Sequence, residues 1–187
     1  MIGIVKQLFV KILRGMNGDY WNGCLYTFEP QSSKASFDQV QCAPITNFEE
    51  IEKSPHSEIN ALAWKQDGDA WAFGAWVDGQ LAGVCWFQAR ETYRRRGGLF
   101  DLSPQEAELA QISTAAAFRR QGVATALIRY GAARMGGKDF QRLYAKIWHG
   151  NIASVKAFES AGWHFRMRFF SLRLFGMNKP IIWRLPS

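Results

Sequence analysis

A basic turn ahead of a helical pattern is the part of the sequence best suited to bind an anion. The turn is Arg119-Arg120-Gln121-Gly122, and a helical pattern follows over Ala124–Arg134. The first N–H groups of a helix have no partner within the helix, and the helix dipole adds positive charge there. Glycine lets the backbone approach a ligand closely, and arginine supplies charge-assisted donors. The turn therefore predicts a phosphate site at the start of a helix.

The spacing of this turn separates it from two common phosphate-binding loops. A Walker loop ends in Gly-Lys-Ser/Thr, and a dinucleotide loop has the pattern Gly-x-Gly-x-x-Gly. Here the pattern is Arg-x-x-Gly-x-Ala, formed by Arg119, Gly122 and Ala124. It resembles the Gln/Arg-x-x-Gly-x-Gly/Ala signature of the GNAT superfamily of acyl-CoA-dependent N-acyltransferases, in which the turn holds the pyrophosphate of coenzyme A. Taken alone, the turn also fits a solvated basic start of a helix.

A second stretch strengthens the resemblance. The family's second block has an Asn, a small residue, an aromatic residue, a Gly and another aromatic residue at fixed spacing. Asn is a favoured N-cap and Gly a favoured residue just after a helix, so a helix is predicted over 152–161. The matching positions are Asn151, Ser154, Phe158, Gly162 and Trp163.

The resemblance implies acetyl-CoA as the cofactor and a geometry for holding it. The strand predicted over 108–114 and the strand predicted over 141–148 are expected to diverge, and the pantetheine arm would pair with main-chain groups in the gap. Ile112 and Thr114 are expected to contribute those main-chain bonds. The residues expected at the cofactor are Ile112, Thr114, Arg119, Arg120, Gln121, Gly122, Val123, Ala124, Thr125, Asn151, Ser154 and Phe158.

Two carboxylates on the central strand are candidates for the general base. Residues two apart in a strand share a face, so Glu106 and Glu108 are expected to point the same way. Members of the family often use a carboxylate on this strand, sometimes through water. A solvated carboxylate at a strand edge is an equally good interpretation.

The family's general acid is missing from its usual position. Phe158 stands where many members have a tyrosine that protonates the leaving thiolate, and it has no hydroxyl group. Water, Tyr144 or Tyr130 would have to take that role. Phe158 also supports the alternative of a non-catalytic protein of the same fold that binds acyl-CoA or regulates another process.

Composition and charge narrow the class of protein. The formal net charge is +7, but the excess lies in residues 1–14 and 164–187, and the middle of the chain is close to neutral. These basic ends fit solvated edges, an acidic membrane surface, an anionic substrate or a partner protein, and they disfavour a nucleic-acid binder because no recognition module accompanies them. The three cysteines have no metal-site spacing, so a reduced cytoplasmic protein without a metal is expected.

The pattern of elements predicts a mixed α/β fold in one domain over 1–187, with an extension over 1–35 that begins as an amphipathic helix over 1–15. The resemblance implies a GNAT-like, mostly antiparallel sheet, splayed at its middle strands with helices on both faces. It extends over 108–163, is weaker over 70–90 and is absent from the first forty or so residues. The predicted strands cover 39–45, 70–77, 80–89, 108–114, 141–148, 163–175 and 181–185, with a short one over 24–28. A short helix is predicted to begin with a capping box formed by Asn47 and Glu50, and further helices are predicted over 58–65, 124–135 and 152–161. Residues 91–98 are predicted to form a basic loop.

The function expected from the resemblance is transfer of an acetyl group from acetyl-CoA to a primary amine of a small acceptor. An amino sugar or a surface-polysaccharide precursor is one option for that acceptor, and a protein amine is another. Monomer and homodimer both stay open.

Overall fold

The structure is a computed structural model of the 187-residue chain, and it describes residues 19–30, 40–63, 68–174, 177 and 179–186. The helix predicted over 1–15 lies outside the described residues. The helix predicted over 58–65 is shorter than expected, because it ends at Asn60, and residues 64 and 65 are not described. The strands are β1 (Asp19–Phe28), β2 (Gln41–Pro44), β3 (Ala70–Val77), β4 (Gln80–Ala89), β5 (Glu106–Thr114), β6 (Arg142–Trp148), β7 (His164–Arg173) and β8 (Ile181–Leu185); the helices are α1 (Glu49–Glu52), α2 (Ser57–Asn60), α3 (Arg90–Arg95), α4 (Val123–Gly136) and α5 (Ile152–Ser160), and a 3₁₀ turn covers Ala116–Phe118.

The eight described strands form one sheet in the order β2-β3-β4-β5-β6-β1-β7-β8. Of the pairs within it, β5 and β6 are parallel and the others are antiparallel. The mixed, mostly antiparallel sheet predicted from the sequence is therefore confirmed. None of the described helices is both long enough and apolar enough to cross a membrane.

The parallel pair separates halfway along its length. Pairing between β5 and β6 runs from Glu106↔Arg142 to Leu109↔Ala145 and then stops, although both strands continue. At the same point β5 carries one extra residue against β4, because Phe87 faces Leu109 and Trp86 faces Gln111. Such a bulge, here at Ala110, bends a strand and increases its twist. The predicted divergence of the central strands is therefore present, and the bulge is its local cause.

Apolar side chains cover both faces of the sheet. On one face, α4 buries Leu127, Ile128 and Met135 against the odd-numbered side chains of β6, as the alternation Leu143, Ala145 and Ile147 predicts. On the other face, α1 and α2 bury Ile51 and Ile59 against Val84 and Trp86 of β4. These two layers hold the central strands rigidly enough to position side chains at their point of divergence.

Local signals in the sequence give several correct boundaries. Asp78 and Gly79 both have positive φ, 48° and 75°, which is the backbone of a tight hairpin turn between β3 and β4. Asn151 caps α5 by accepting a hydrogen bond from Ser154 N at 3.2 Å. Gly162 follows that helix with φ of 87°, and Trp163 N donates to Phe158 O at 3.0 Å.

Two expectations about local structure are wrong, and a third gives a strand that is too short. The loop expected over 91–98 begins as α3, because Thr92 and Tyr93 are buried against the sheet while the arginines stay in solvent. The capping box at Asn47 does not form: Asn47 Oδ1 accepts from Glu49 N at 3.1 Å, and α1 begins after Phe48 with no side-chain cap. The short strand expected over 24–28 is a ten-residue strand between β6 and β7.

Candidate active site

A cleft of about 620 Å³ opens where β5 and β6 diverge, bounded by the end of β5 and the first turns of α4 and α5. Gln121 is the one predicted cofactor residue outside the lining, because its Nε2 donates to Ala117 O at 3.2 Å. The predicted cofactor residues that line the cleft are Ile112, Thr114, Arg119, Arg120, Gly122, Val123, Ala124, Thr125, Asn151, Ser154 and Phe158.

The start of α4 leaves main-chain donors available to the cleft. The first hydrogen bond of the helix is donated by Ala126 N to Gly122 O at 2.9 Å. The N–H groups of residues 123–125 therefore have no acceptor within the helix. No side chain caps this end. Gly122 has φ of 79°, and a Cβ built on it would meet nothing within 4 Å. The turn can therefore bring an anion close to several N–H groups and to the positive end of the helix.

The edge of β5 that faces the cleft also carries main-chain groups that do not pair with another strand. Ala115 N donates to Ala82 O at 2.9 Å, on the β4 side. Since main-chain groups alternate in an antiparallel pair, those of Ser113 also point to β4, and those of Ile112 and Thr114 point into the gap. The buried Oγ1 of Thr114 has no hydrogen-bond partner among the described residues. An extended polar ligand could pair with this edge as an added strand would.

Arg119 is held at the mouth of the cleft by α2. Its Nη2 lies 3.2 Å from Glu58 Oε1, and its Nε donates to Thr114 O at 3.3 Å. Glu58 also accepts from Ala116 N at 3.3 Å. Hydrogen bonds from its own backbone and from Ala116, with the charge of Arg119, lower the pKa of the Glu58 carboxyl. Sequence reasoning missed Glu58, because nothing in its neighbourhood along the chain points to a residue so far away.

The sequence prediction also missed other residues of the cleft, among them Lys156 and Ser160 on α5. They share a helix face with Ala153, which also lines the cleft, because residues three or four apart lie above one another. Helical spacing from the second sequence block could have found them. Lys156 adds a second kind of cation to the two arginines of the turn.

The two candidate bases share a face of β5, as predicted, but neither lines the cleft. Glu108 is 2% exposed, and both of its oxygens have partners. Oε2 accepts from Gln88 Nε2 at 2.9 Å, and Oε1 lies 3.0 Å from Lys146 Nζ. The alternative of a solvated carboxylate is therefore wrong for Glu108. Lys146 directly follows Ala145, the last β6 residue paired to β5, so this ion pair lies at the root of the divergence.

Glu106 lies two residues farther from the gap than Glu108, and its side chain is more exposed to solvent. Tyr144 OH donates to its Oε1 at 2.9 Å, and Arg142 Nη1 lies 3.5 Å away. Ser103 N donates to the other oxygen at 2.8 Å. This carboxylate is therefore anchored to the strand end and to the preceding loop.

The candidate general acids are not at the cleft. Tyr144 is engaged with Glu106, and burial is the main cause that raises its pKa. Tyr130 packs on Phe73 with ring centroids 5.9 Å apart, on another side of α4. Phe158 does line the cleft and stacks edge-on against Trp163 at 5.0 Å. Among the described residues that line the cleft, none is a tyrosine or a histidine.

Comparison with known proteins gives one family and many similar structures. Residues 37–163 match the Acetyltransferase (GNAT) family, which is more than half of the chain. A search of curated proteins found no match. The chain is similar to an acetyltransferase of the GNAT family from Novosphingobium aromaticivorans, with 17% identity, a TM-score of 0.57, and coverage of 83% of this chain and 66% of that one.

Two further structures show the same fold. A GCN5-related N-acetyltransferase from Kribbella flavida is 14% identical with a TM-score of 0.56, over 87% of this chain and 62% of that one. AAC(6')-Iy, solved with the bisubstrate analogue CoA-S-monomethyl-acetylneamine, is 22% identical with a TM-score of 0.51, over 68% of this chain and 92% of that one. The chain thus spans less than two thirds of the length of several similar structures, including the first two described.

Proposed function

Since the chain belongs to the GNAT acetyltransferase family, whose enzymes use acetyl-CoA, we propose that it transfers an acetyl group from acetyl-CoA to a primary amine of a small acceptor. The observation that carries this proposal is the cleft at the divergence of β5 and β6, with the start of α4 at its mouth. A binder of some other anion would not need an open strand edge beside the helix start.

The residues of the cleft fit a cofactor with a diphosphate and an extended arm. The N–H groups of residues 123–125 and the side chains of Arg119 and Arg120 supply donors for a diphosphate. Ile112 and Thr114 offer main-chain groups along the gap, and the unpartnered Oγ1 of Thr114 adds a polar contact. When bound, acetyl-CoA supplies an acyl thioester that an amine can attack.

We assign Glu108 as the candidate base, with Glu106 as the second candidate. Glu108 lies at the root of the gap, where the reacting end of an extended arm would end, and it is held in place by Gln88 and Lys146. A fixed carboxylate can accept the proton of an acceptor amine, directly or through a water molecule. The matched experiment compares Glu108→Gln with Glu106→Gln: the larger loss of kcat, with unchanged affinity for coenzyme A, identifies the base.

The function itself is tested by release of free thiol from acetyl-CoA in the presence of an amine panel. The panel should include amino sugars, because AAC(6')-Iy was solved with an acetylneamine analogue, and also amino acids and a peptide N-terminus. Turnover with at least one amine, and acetylated product by mass spectrometry, is the expected result. Absence of coenzyme A binding in calorimetry would refute the proposal at its first step.

A non-catalytic acyl-CoA binder is the second candidate, and Phe158 is the observation that favours it. Its ring lies in the cleft where a proton donor would be useful, and no tyrosine or histidine replaces it among the described lining residues. Tight binding of acetyl-CoA without thiol release for any amine in the panel would select this candidate. Water can protonate a thiolate, so the enzyme remains the first choice.

Contact of the basic ends with a membrane surface stays a prediction. Within the described part of the C-terminal end, Arg166 lies 4.0 Å from Glu29 and Lys179 lies 3.5 Å from Asp101. These acidic neighbours reduce the excess positive charge on that side. Sedimentation with anionic lipid vesicles would measure any remaining attraction.

A further inference from the structure

The short helix α2 and the residue before it contact the turn between β5 and α4, although the two segments are far apart in the sequence. The His56 ring meets the Phe118 ring edge-on, with centroids 5.6 Å apart. Ile59 is fully buried in the same cluster as Ala115, the residue that follows β5. These contacts place α2 directly against the turn that forms the mouth of the cleft.

Glu58 is the charged member of this contact, and one of its oxygens has two partners in the turn. Oε1 accepts a hydrogen bond from Ala116 N at 3.3 Å and another from Arg119 Nη2 at 3.2 Å. Hydrogen bonds from its own backbone and from Ala116 N, with the charge of Arg119, lower the pKa of this carboxyl, so it is ionised at neutral pH. A single carboxylate therefore ties both the main chain and a side chain of the turn to α2.

The bonds that hold Arg119 leave part of its guanidinium for another acceptor. Nε donates to Thr114 O at 3.3 Å, and Nη2 donates to Glu58. A guanidinium carries five N–H groups, so both N–H groups of Nη1 and one of Nη2 stay available. This fork matches two oxygens of a phosphate. Since Arg119 lines the cleft, the fork is held at its mouth.

The neighbouring arginine of the turn gives an internal comparison. Arg120 also lines the cleft, but no described residue forms a hydrogen bond or an ion pair with its side chain. A long side chain that moves freely loses more conformational freedom on binding a ligand than one that is already held. The two arginines therefore differ in preorganisation, and Glu58 is the charged group that holds only one of them.

We propose that Glu58 is a positioning residue for the cofactor, which holds Arg119 and the main chain at Ala116 in the arrangement that binds the diphosphate of coenzyme A. This inference rests on the proposed function, because it assigns the anion at the mouth of the cleft to that cofactor. Holding one long side chain in advance changes affinity by about two- to tenfold. The charge of Glu58 also repels an anion, but it is already paired with Arg119, and salt screens what remains. Loss of Glu58 should therefore weaken binding of the diphosphate.

The test compares coenzyme A with pantetheine, which is the arm of the cofactor without its diphosphate and nucleotide. Calorimetry gives the Kd of coenzyme A, and the same titration in the presence of pantetheine gives the Kd of the arm. In Glu58→Ala we expect the Kd of coenzyme A to rise about three- to tenfold and the Kd of pantetheine to stay unchanged. The ion pair is largely exposed, so Tm should fall by no more than about 4 °C.

Matched variants separate positioning from a general effect. Glu58→Gln keeps an oxygen that accepts hydrogen bonds and should restore part of the affinity. Glu50→Ala, which removes an exposed carboxylate from the neighbouring helix α1, should bind coenzyme A like the wild type. In an Arg119→Gln background Glu58→Ala should lose most of its effect, whereas in an Arg120→Gln background the effect should remain.

The outcomes separate the positioning role from the reaction. Unchanged or tighter binding of coenzyme A by Glu58→Ala overturns the inference, and so does an equal loss of affinity for pantetheine or a full effect in the Arg119→Gln background. Thiol release by Glu58→Ala with an unchanged KM for acetyl-CoA would leave the proposed function standing and refute the inference. Binding of coenzyme A that depends on Glu58, without thiol release for any amine, would support the positioning role and refute the proposed function.

Discussion

Gly122→Trp tests whether the turn before α4 is the cofactor's anion site. Gly122 lines the cleft, has φ of 79°, and would place a Cβ within 4 Å of nothing. A tryptophan there has room to stay outside the core, so the protein should fold. Its indole would occupy the space in front of the N–H groups of residues 123–125. We expect binding of coenzyme A to be abolished in a folded protein.

Two magnitudes follow from this geometry. A non-glycine residue in the left-handed region costs about 1–2 kcal/mol, which lowers Tm by about 2–8 °C in a chain of this size. A charge-assisted hydrogen bond contributes about 1.5–3 kcal/mol, so the loss of two such bonds costs about 3 kcal/mol or more. That cost corresponds to a loss of affinity of about a hundredfold or more. The loss of binding should therefore exceed what the loss of stability could explain.

Gly79→Trp is the matched control for backbone strain. Gly79 has φ of 75°, and its Cβ would also meet nothing within 4 Å, but it lies in the β3–β4 hairpin turn. Calorimetric titration with coenzyme A and thermal unfolding are measured on both variants. Both should lose similar stability, and the hairpin variant should bind coenzyme A like the wild type. Affinity within about threefold of the wild type in folded Gly122→Trp would refute the assignment of the turn.

Three further changes test other parts of the protein. Lys146→Met leaves the carboxylate of Glu108 buried without its cation, so the free energy of unfolding measured in urea should fall by about 3 kcal/mol or more. Phe158→Tyr places a phenolic hydroxyl at the cleft, and kcat measured by thiol release should rise about tenfold or more if protonation of the thiolate limits turnover. Burial raises the pKa of Cys42 to about 11, so the unfolded chain loses this proton first as pH rises. The free energy of unfolding should therefore fall between about pH 9 and 11, and fall less in Cys42→Ala.

Each of these changes has its own control. Adding Glu108→Gln to Lys146→Met removes the unpaired charge and should restore most of the stability; if it restores none, the loss came from packing. An unchanged kcat in Phe158→Tyr, with intact affinity for coenzyme A, would show that water already protonates the thiolate. Coincident pH curves for Cys42→Ala and the wild type would show that this thiol is not protected in the folded protein.

The cleft at the starts of α4 and α5 could be predicted because its signals are local. Gly122, Asn151 and Gly162 each fit the backbone at a helix end: the two glycines adopt positive φ, and the asparagine caps a helix. Such requirements involve only a few neighbouring residues. The structure therefore places them as the sequence indicates. Gln121 does not line the cleft as predicted, because the residue type at a turn does not fix the direction of the side chain. Here the Gln121 side chain donates a hydrogen bond to Ala117 O in the preceding turn.

The face of the sheet that carries Glu108 and Lys146 could not be predicted because its contacts join distant parts of the chain. The three consecutive arginines of residues 94–96 favoured a loop in the sequence analysis, whereas the chain forms α3 there. Tyr93 of this helix is buried and contacts Lys146, which lies on a strand far along the sequence. The partners of β1 are β6 and β7, and no pattern within Asp19–Phe28 indicates them. A small pocket that includes Trp21 and Arg173 exists only because this long-range pairing brings the two side chains together.

The extra residue at Ala110 changes which face of the sheet the even-numbered side chains of β5 lie on. Before the bulge, Ala107 and Leu109 pack under α4, and the even-numbered Glu106 and Glu108 point to the other face. In an unbroken strand Ile112 would share the face of Glu108, because side chains alternate with a period of two. Instead Ile112 packs against the core under α4, and its main-chain groups turn into the gap. The same local shift ends the pairing with β6 and leaves the Glu108–Lys146 ion pair at that boundary, on the face of the sheet opposite to α4.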